Sequence, residues 1–452
     1  VKLLAVIALA GGALALSAGS STAGAASAAP HHIRGLVRHA PYAMRAAPAS
    51  RFAPTRTSRA AAALNCIAAC SSYEATINQY FTDVAHDNGL TTNVYSAATQ
   101  YSSIQYNETF AGSYVDGNPY PATNGCHDGF DTYCVTDTQL QAEITKMLAA
   151  RKWPTHSPTA LYVIFTPARV GVCEAPGAPS VNNACTTNVF CAYHSSTSSF
   201  IYAVEPDAAA VSGGACSTGS RPRGGAADDT ISTLSHEQNE AITDPLGDGW
   251  WSEDPETYQG IPDFFFGSEN GDLCAYNFGT PLGTTVSGQP YNQVINGHDY
   301  FLQQEFSDAD GGCVQHLGGT PTVLASNNPL YMGVGPLVFH NGSVMTTNTV
   351  YAIYWVPALP VNVKLPAITG ITKVGKKLTA SRGTWSNGPT YKYQWLRCSS
   401  TGTLCKTIPM ATALTHVLVT ADKGHRLEMR VTATNMVGSA TKISLPTPVI
   451  TS

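Results

Sequence analysis

The residues from Leu234 to Pro245 bring His236, Glu237 and Glu240 into one short stretch. His236 and Glu240 are four apart, so on a helix they stack on one face, with Glu237 beside them. An imidazole stacked on a carboxylate is half of a metal site. Zinc takes about four N, O or S ligands, and a catalytic zinc leaves one of those positions to water. Downstream, Ser268-Glu269-Asn270-Gly271-Asp272-Leu273-Cys274 offers Glu269 and Asp272 as a further ligand. In such a site Glu237 takes a proton from the attacking water and passes it to the leaving group. His194, in Cys191-Ala192-Tyr193-His194, is a reserve ligand if folding carries it to the helix.

The spacing resembles that of the His-Glu-x-x-His zinc peptidases with their downstream Glu. Glu240 stands where those enzymes carry a second His. One His with two carboxylates is a harder, more anionic set, so Mn2+ and Ca2+ compete with Zn2+. The plain alternative is structural: Glu237 and Glu240 on a solvated helix face, and His236 bonded to a carbonyl. Asp308-Ala309-Asp310-Gly311-Gly312 starts like a calcium loop but lacks the later acids of one, and reads as a turn.

These side chains need a scaffold. Ile231, Leu234, Ala241 and Ile242 line one apolar face of the expected helix, and Asp228 or Asp229 is its expected N-cap. Pro245 disfavours helix at Asp244 and should end it there. Helical spacing also marks residues 71–90, through Tyr73, Ile77, Tyr80, Phe81 and Val84. It marks residues 136–150 through Leu140, Ile144, Met147 and Leu148. The apolar runs 161–166 and 200–204 have the length of buried strands. Helices alternating with such strands imply an α/β domain with a mixed sheet, in which the His236 helix is zincin-like.

The chain has 452 residues, too many for one core. Residues 30–64 hold six Arg and no acid within a net charge of −5, so the remainder is more acidic than the total. An acidic body argues against nucleic acid as the main partner. Lys2, the apolar run 3–16 and Ala26-Ser27-Ala28 read as a signal peptide over 1–28, and Val1 as an alternative bacterial start. Residues 29–64, rich in Ala, Pro, Arg and His without periodicity, read as a disordered basic linker or a pro-segment. No later stretch is apolar enough to span a bilayer. A secreted protein, extracellular or cell-surface associated, is expected.

Its 12 cysteines have no C-x-x-C spacing and read as disulfides of an oxidising compartment. Sequence proximity suggests Cys66–Cys70, Cys126–Cys134, Cys185–Cys191 and Cys398–Cys405. Elimination suggests Cys274–Cys313 and Cys173–Cys216, although sequence alone does not fix the pairing.

From about residue 68 to 313 the chain resembles the Exordium, or phosphate-induced protein, family, and its bacterial members most closely. The pieces that carry the resemblance are residues 161–166, Tyr193-His194 and Thr243-Asp244-Pro245-Leu246-Gly247-Asp248-Gly249-Trp250. Gly271-Asp272-Leu273-Cys274, Phe301-Leu302-Gln303-Gln304 and Cys313 follow in order. The resemblance implies a secreted α/β domain over 65–318, linked in plants to cell-wall growth. In that family a His-x-Gly segment leading to an aromatic-ended strand precedes the first helix. Here Phe339-His340-Asn341-Gly342 and the strand-like run 350–355 come after Cys313. Residues 319–358 are therefore expected to complete the first domain's sheet, as in a circular permutation. The stub of a second copy is the alternative.

Over 360–452 the pattern alternates strictly, as in Tyr391, Tyr393, Trp395 and in Leu427, Met429, Val431, Ala433. With Gly383-Thr384-Trp385, Gln394-Trp395-Leu396-Arg397-Cys398 and Asp422-Lys423-Gly424-His425, this resembles the Ig-like repeats of secreted actinobacterial proteins. That resemblance implies an all-β Ig-like sandwich serving as spacer or adhesion module.

Two functions are thus expected to compete. One is a metal-dependent hydrolase or peptidase acting on an extracellular substrate, with His236, Glu240 and Glu269 or Asp272 as ligands and Glu237 as base. The other is a non-catalytic surface protein whose Trp250, Trp251 and Tyr258 stack on wall polysaccharide.

Overall fold

A strand that is apolar on both faces must be covered on both faces. The strand Ala160–Thr166 is of that kind, and all seven of its residues are buried. It lies at the centre of a five-stranded sheet. The computed structural model describes residues 66–121, 124–131, 133–180, 183–253, 267–322, 335–387, 389–435 and 438–452, with side chains from residue 72 onward. The expected signal peptide and basic linker, Tyr258, and the side chains of Cys66 and Cys70 lie outside the described residues.

In chain order the α/β region comprises α1 (Cys66–His86), β1 (Glu108–Asp116), α2 (Asp137–Arg151), β2 (Ala160–Thr166), β3 (Tyr193–Ser196), β4 (Ile201–Pro206), α3 (Ala227–Thr243) and β5 (Asn348–Trp355). The sheet order is β1-β5-β2-β4-β3. The first four strands of that order run parallel, and β3 joins β4 as an antiparallel edge. The late segment β5 is placed between β1 and β2, with Val350 opposite Leu161 and Ile353 opposite Ile164.

The two-residue period of β2 sends Leu161, Val163 and Phe165 to one face and Tyr162 and Ile164 to the other. Against the first face pack α1, through Ile77, Tyr80, Phe81 and Val84, and α3, through Ile231, Leu234, Ala241 and Ile242. Against the second packs α2, through Leu140, Ile144, Met147 and Leu148. Thr136 caps α2: its hydroxyl accepts from the Gln139 N–H, and the Gln139 side chain accepts from the Thr136 N–H.

The C-terminal region is all β. Strands β6 (Ile368–Gly370), β7 (Lys377–Ala380) and β10 (Thr415–Val417) form one antiparallel sheet. Strands β8 (Thr390–Cys398), β9 (Lys406–Thr407), β11 (Arg426–Asn435) and β12 (Gly438–Ile443) form another. Trp395 stands opposite Met429 and Tyr393 opposite Val431. Leu378, Trp395, Leu427, Met429 and Val431 share one core.

Five disulfides join described residues: Cys126–Cys134, Cys173–Cys185, Cys191–Cys216, Cys274–Cys313 and Cys398–Cys405. The expected Cys185–Cys191 and Cys173–Cys216 pairs are corrected. Cys173 and Cys185 face each other across an antiparallel bridge, so the chain's return sets their side chains together. Cys191 leads into β3 and reaches Cys216 instead. Among the described residues no helix is long and apolar enough to cross a membrane.

Candidate metal centre

Every residue of α3 is buried, polar ones included. The reading of Glu237 and Glu240 as a solvated face is therefore corrected: both are 0% exposed. One side of α3 lies on the sheet's core, and the chain around Gly271, Gln303 and Glu305 covers the other. The N-cap expectation is also corrected, because the cap position is Ala226 and it makes no side-chain cap bond. Asp228 and Asp229 lie in the first turn, where the helix dipole favours carboxylates, and they hold the preceding loop. Asp228 accepts from the Arg223 and Gly225 N–H groups, and Asp229 pairs with the Arg221 guanidinium at 2.7 Å. At the other end the Asp244 N–H donates to the Glu240 carbonyl and the Asp244 carboxylate accepts from the Gly249 N–H, consistent with a stop before Pro245.

The sequence candidates are brought together. His236 Nε2 lies 3.0 Å from Glu240 Oε1, 3.6 Å from Asp272 Oδ1 and 3.9 Å from Glu237 Oε1. His194, the reserve ligand, is brought in by the edge strand β3. Its Nδ1 lies 3.4 Å from Glu237 Oε2 and 3.6 Å from Glu240 Oε2, and its Nε2 lies 3.8 Å from Glu269 Oε1. Two overlapping sets of ligand atoms result, each within a 4.8 Å span: His236, Glu237 and Glu240, and His194, Glu240 and Glu269.

The surroundings set the two rings differently. His194 Nε2 is 3.2 Å from the Asp244 carbonyl, which can only accept, so Nε2 carries a proton. Nδ1 is then left to point at the carboxylates with a proton or toward a cation. At His236, the Gln303 amide accepts from the Tyr276 N–H, donates to the Gly271 carbonyl and lies 2.8 Å from Nδ1. Whenever that Nδ1 carries a proton, Gln303 has to turn its oxygen to it. Gly271 itself touches the ring: a Cβ there would sit 2.6 Å from His236 Nδ1. Gln303 and Gly271 are the positions missed as site residues, because their contribution comes from placement against His236 and not from their residue type.

The charges are crowded. Burial pushes the Glu237 carboxyl up, against the pull of His194 and His236, to about 7. Burial also opposes an ionised Glu240, but the two imidazoles outweigh it and hold the carboxyl down at about 2. Glu269 is raised well above the usual range by burial, Asp244 and Glu240, and Asp272 is raised by burial and Glu240. Burial opposes the His194 cation, yet Glu237 and Glu240 lift its pKa to about 10, and His236 is lifted likewise by Glu240 and Asp272. Glu237, Glu269 and Asp272 thus hold their protons more tightly than exposed carboxyls do.

The remaining sequence candidates lie elsewhere. Trp250 is half-buried between Tyr101 and Phe339, with its Nε1 donating to Ser102, and Trp251 stacks on His340. Asp308 to Gly311 form a hairpin turn between the strands Glu305–Ser307 and Gly312–Val314, with Ser307 bonded to Asp310. No protein-family model matches the chain and no curated protein matches it.

Proposed function

We propose that the chain is a secreted metal-dependent hydrolase, a bacterial relative of the Exordium family, with a divalent cation held at α3 and an Ig-like sandwich at its C-terminus. The observation that carries this reading is the convergence of two imidazoles and several carboxylates in one buried place. His194 Nδ1, His236 Nε2, Glu240 Oε2, Glu269 Oε2 and Asp272 Oδ1 make no well-aligned hydrogen bond there, although His194 Nδ1 faces Glu240 Oε2 and His236 Nε2 faces Asp272 Oδ1, each at 3.6 Å. Buried polar atoms are bonded in the great majority of cases, and a cation would satisfy this set together. His236 and Glu240 with Asp272 or Glu269 would hold it. Zn2+ suits the imidazole, and the carboxylate excess admits Mn2+ or Ca2+.

When bound, the cation polarises a substrate carbonyl and makes a water more acidic. Glu237, which faces both imidazoles, would take the proton of that water as the oxygen bonds to the carbonyl carbon. It then delivers the proton to the leaving nitrogen as the C–N bond breaks. A peptide of the extracellular space is the substrate class that this chemistry suits. The five disulfides are consistent with an oxidising compartment.

One observation favours a second reading. His236, Glu237 and Glu240 are 0% exposed, and the Asp272 and His194 side chains, at 8% and 5%, reach solvent only slightly. A cation sealed in this way would also suit a non-catalytic surface protein that binds polysaccharide. Metal analysis and a peptide-hydrolysis screen on the full chain separate the two. The hydrolase reading expects bound metal in wild type and in Glu237→Gln, with hydrolysis in wild type alone. Metal without hydrolysis supports the surface protein, and absence of stoichiometric metal overturns the cation itself.

A further inference from the structure

We propose that the cluster is built for two divalent cations bridged by Glu240. The inference rests on the metal-site reading above and goes beyond its single cation. Glu240 divides its oxygens between two imidazoles: Oε1 lies 3.0 Å from His236 Nε2, and Oε2 lies 3.6 Å from His194 Nδ1. The two sets of ligand atoms meet at this residue and differ otherwise. His194 and His236 come from different elements, are 6% and 0% exposed, and each aims a nitrogen without a well-aligned hydrogen bond at the carboxylates. Each imidazole heads its own set of ligand atoms, and the two sets share Glu240.

The charge points the same way. Glu237, Glu240, Asp244, Glu269 and Asp272 crowd this place, and among the described residues their ion pairs are with His194 and His236 and with no Lys or Arg. Glu205 and Glu305, also buried, add to the crowding, and two divalent cations offset more of this charge than one does. Carboxylate-bridged ions in two-metal sites stand about 3.5–4 Å apart, a separation that one Glu240 side chain can span. His236 and Glu240 Oε1 would hold the first ion, with Asp272, whose Oδ1 lies 3.6 Å from His236 Nε2, as the further ligand. His194, Glu269 and Glu240 Oε2 would hold the second. Glu237 faces both imidazoles, at 3.9 Å and 3.4 Å, and keeps its place as the base between them. Each half offers one nitrogen and several carboxylate oxygens, a set suited to a pair of Mn2+ or Zn2+ ions.

The test is a Mn2+ titration of the chelator-treated full chain, followed by elemental analysis and electron paramagnetic resonance. Two Mn2+ per chain with an exchange-coupled spectrum are expected. His194→Ala and Glu269→Gln, each checked for native circular dichroism, should bind one Mn2+ with the isolated six-line signal. The Glu269→Gln change is isosteric and keeps the test open if His194→Ala fails to fold. Saturation of wild type at one Mn2+ overturns the pair and leaves the single-cation reading standing. Two uncoupled ions overturn the bridge, and absence of tight binding overturns both readings.

Discussion

His194 on β3 and Glu240 on α3 face each other across the sheet edge, Nδ1 to Oε2 at 3.6 Å. The relationship depends on strand register. His194 pairs with Ala203 of β4, and the two-residue period sends Tyr193 to the α2 side and His194 to the α3 side. A slip of one residue would exchange them. His194→Ala should therefore weaken cation binding by at least about 10–100-fold while the fold persists. Competition with a chelating dye measures the loss, and unchanged affinity would remove His194 from the site.

Cation binding should also appear as stability. A ligand held only by the folded state adds about 2.7 kcal/mol at a concentration 100 times its Kd. Thermal unfolding with and without chelator should show this shift. Glu269→Gln should narrow the shift, and it should raise the melting temperature of the chelated form by removing one crowded carboxylate.

Gly271 gives a sharper steric test. Its missing Cβ leaves room for His236, and an added methyl would sit 2.6 Å from the ring nitrogen. Gly271→Ala should cost about 1–3 kcal/mol and displace the imidazole. Denaturant unfolding reads the first effect and Mn2+ affinity the second. A variant that is neutral in both would show that the backbone gives way freely.

Two disulfides anchor the site's strand and turn. Cys191–Cys216 lies just before His194, and Cys274–Cys313 just after Asp272. Replacing the first pair by serines should cost about 2–4 kcal/mol and weaken cation binding in parallel. Replacing Cys398–Cys405 should leave cation affinity unchanged, because that bridge lies within the C-terminal β region. Equal effects from both replacements would argue for general destabilisation.

Asp207 predicts a pH dependence away from the cluster. Burial pushes its carboxyl up to about 6, and Asp229 adds to the rise while the Ala209 N–H and Arg221 oppose it. The unfolded value is about 4, so between the two the folded state binds more protons. The contribution of Asp207 to stability is then greatest at low pH and falls as pH rises through that window, by about 3 kcal/mol at most. Asp207→Asn should flatten the unfolding profile between about pH 4 and 6. An unchanged slope would assign the dependence to other groups.

Much of this protein can be read from residue order alone. The helix stop at Pro245, the doubly apolar strand at 161–166 and the alternation through Tyr393 and Trp395 are local patterns, and each matches an observed element. The pairing of His236 with Glu240 is local too, because a helix turn fixes the distance between them. What only the tertiary structure decided is non-local. The complete burial of α3, the pairing of Cys173 with Cys185, and the arrival of β5 between β1 and β2 depend on which distant segments lie against each other. His194 rose from reserve to the heart of the cluster for the same reason. Its distance from Glu240 is set by an antiparallel edge strand and not by spacing along the chain.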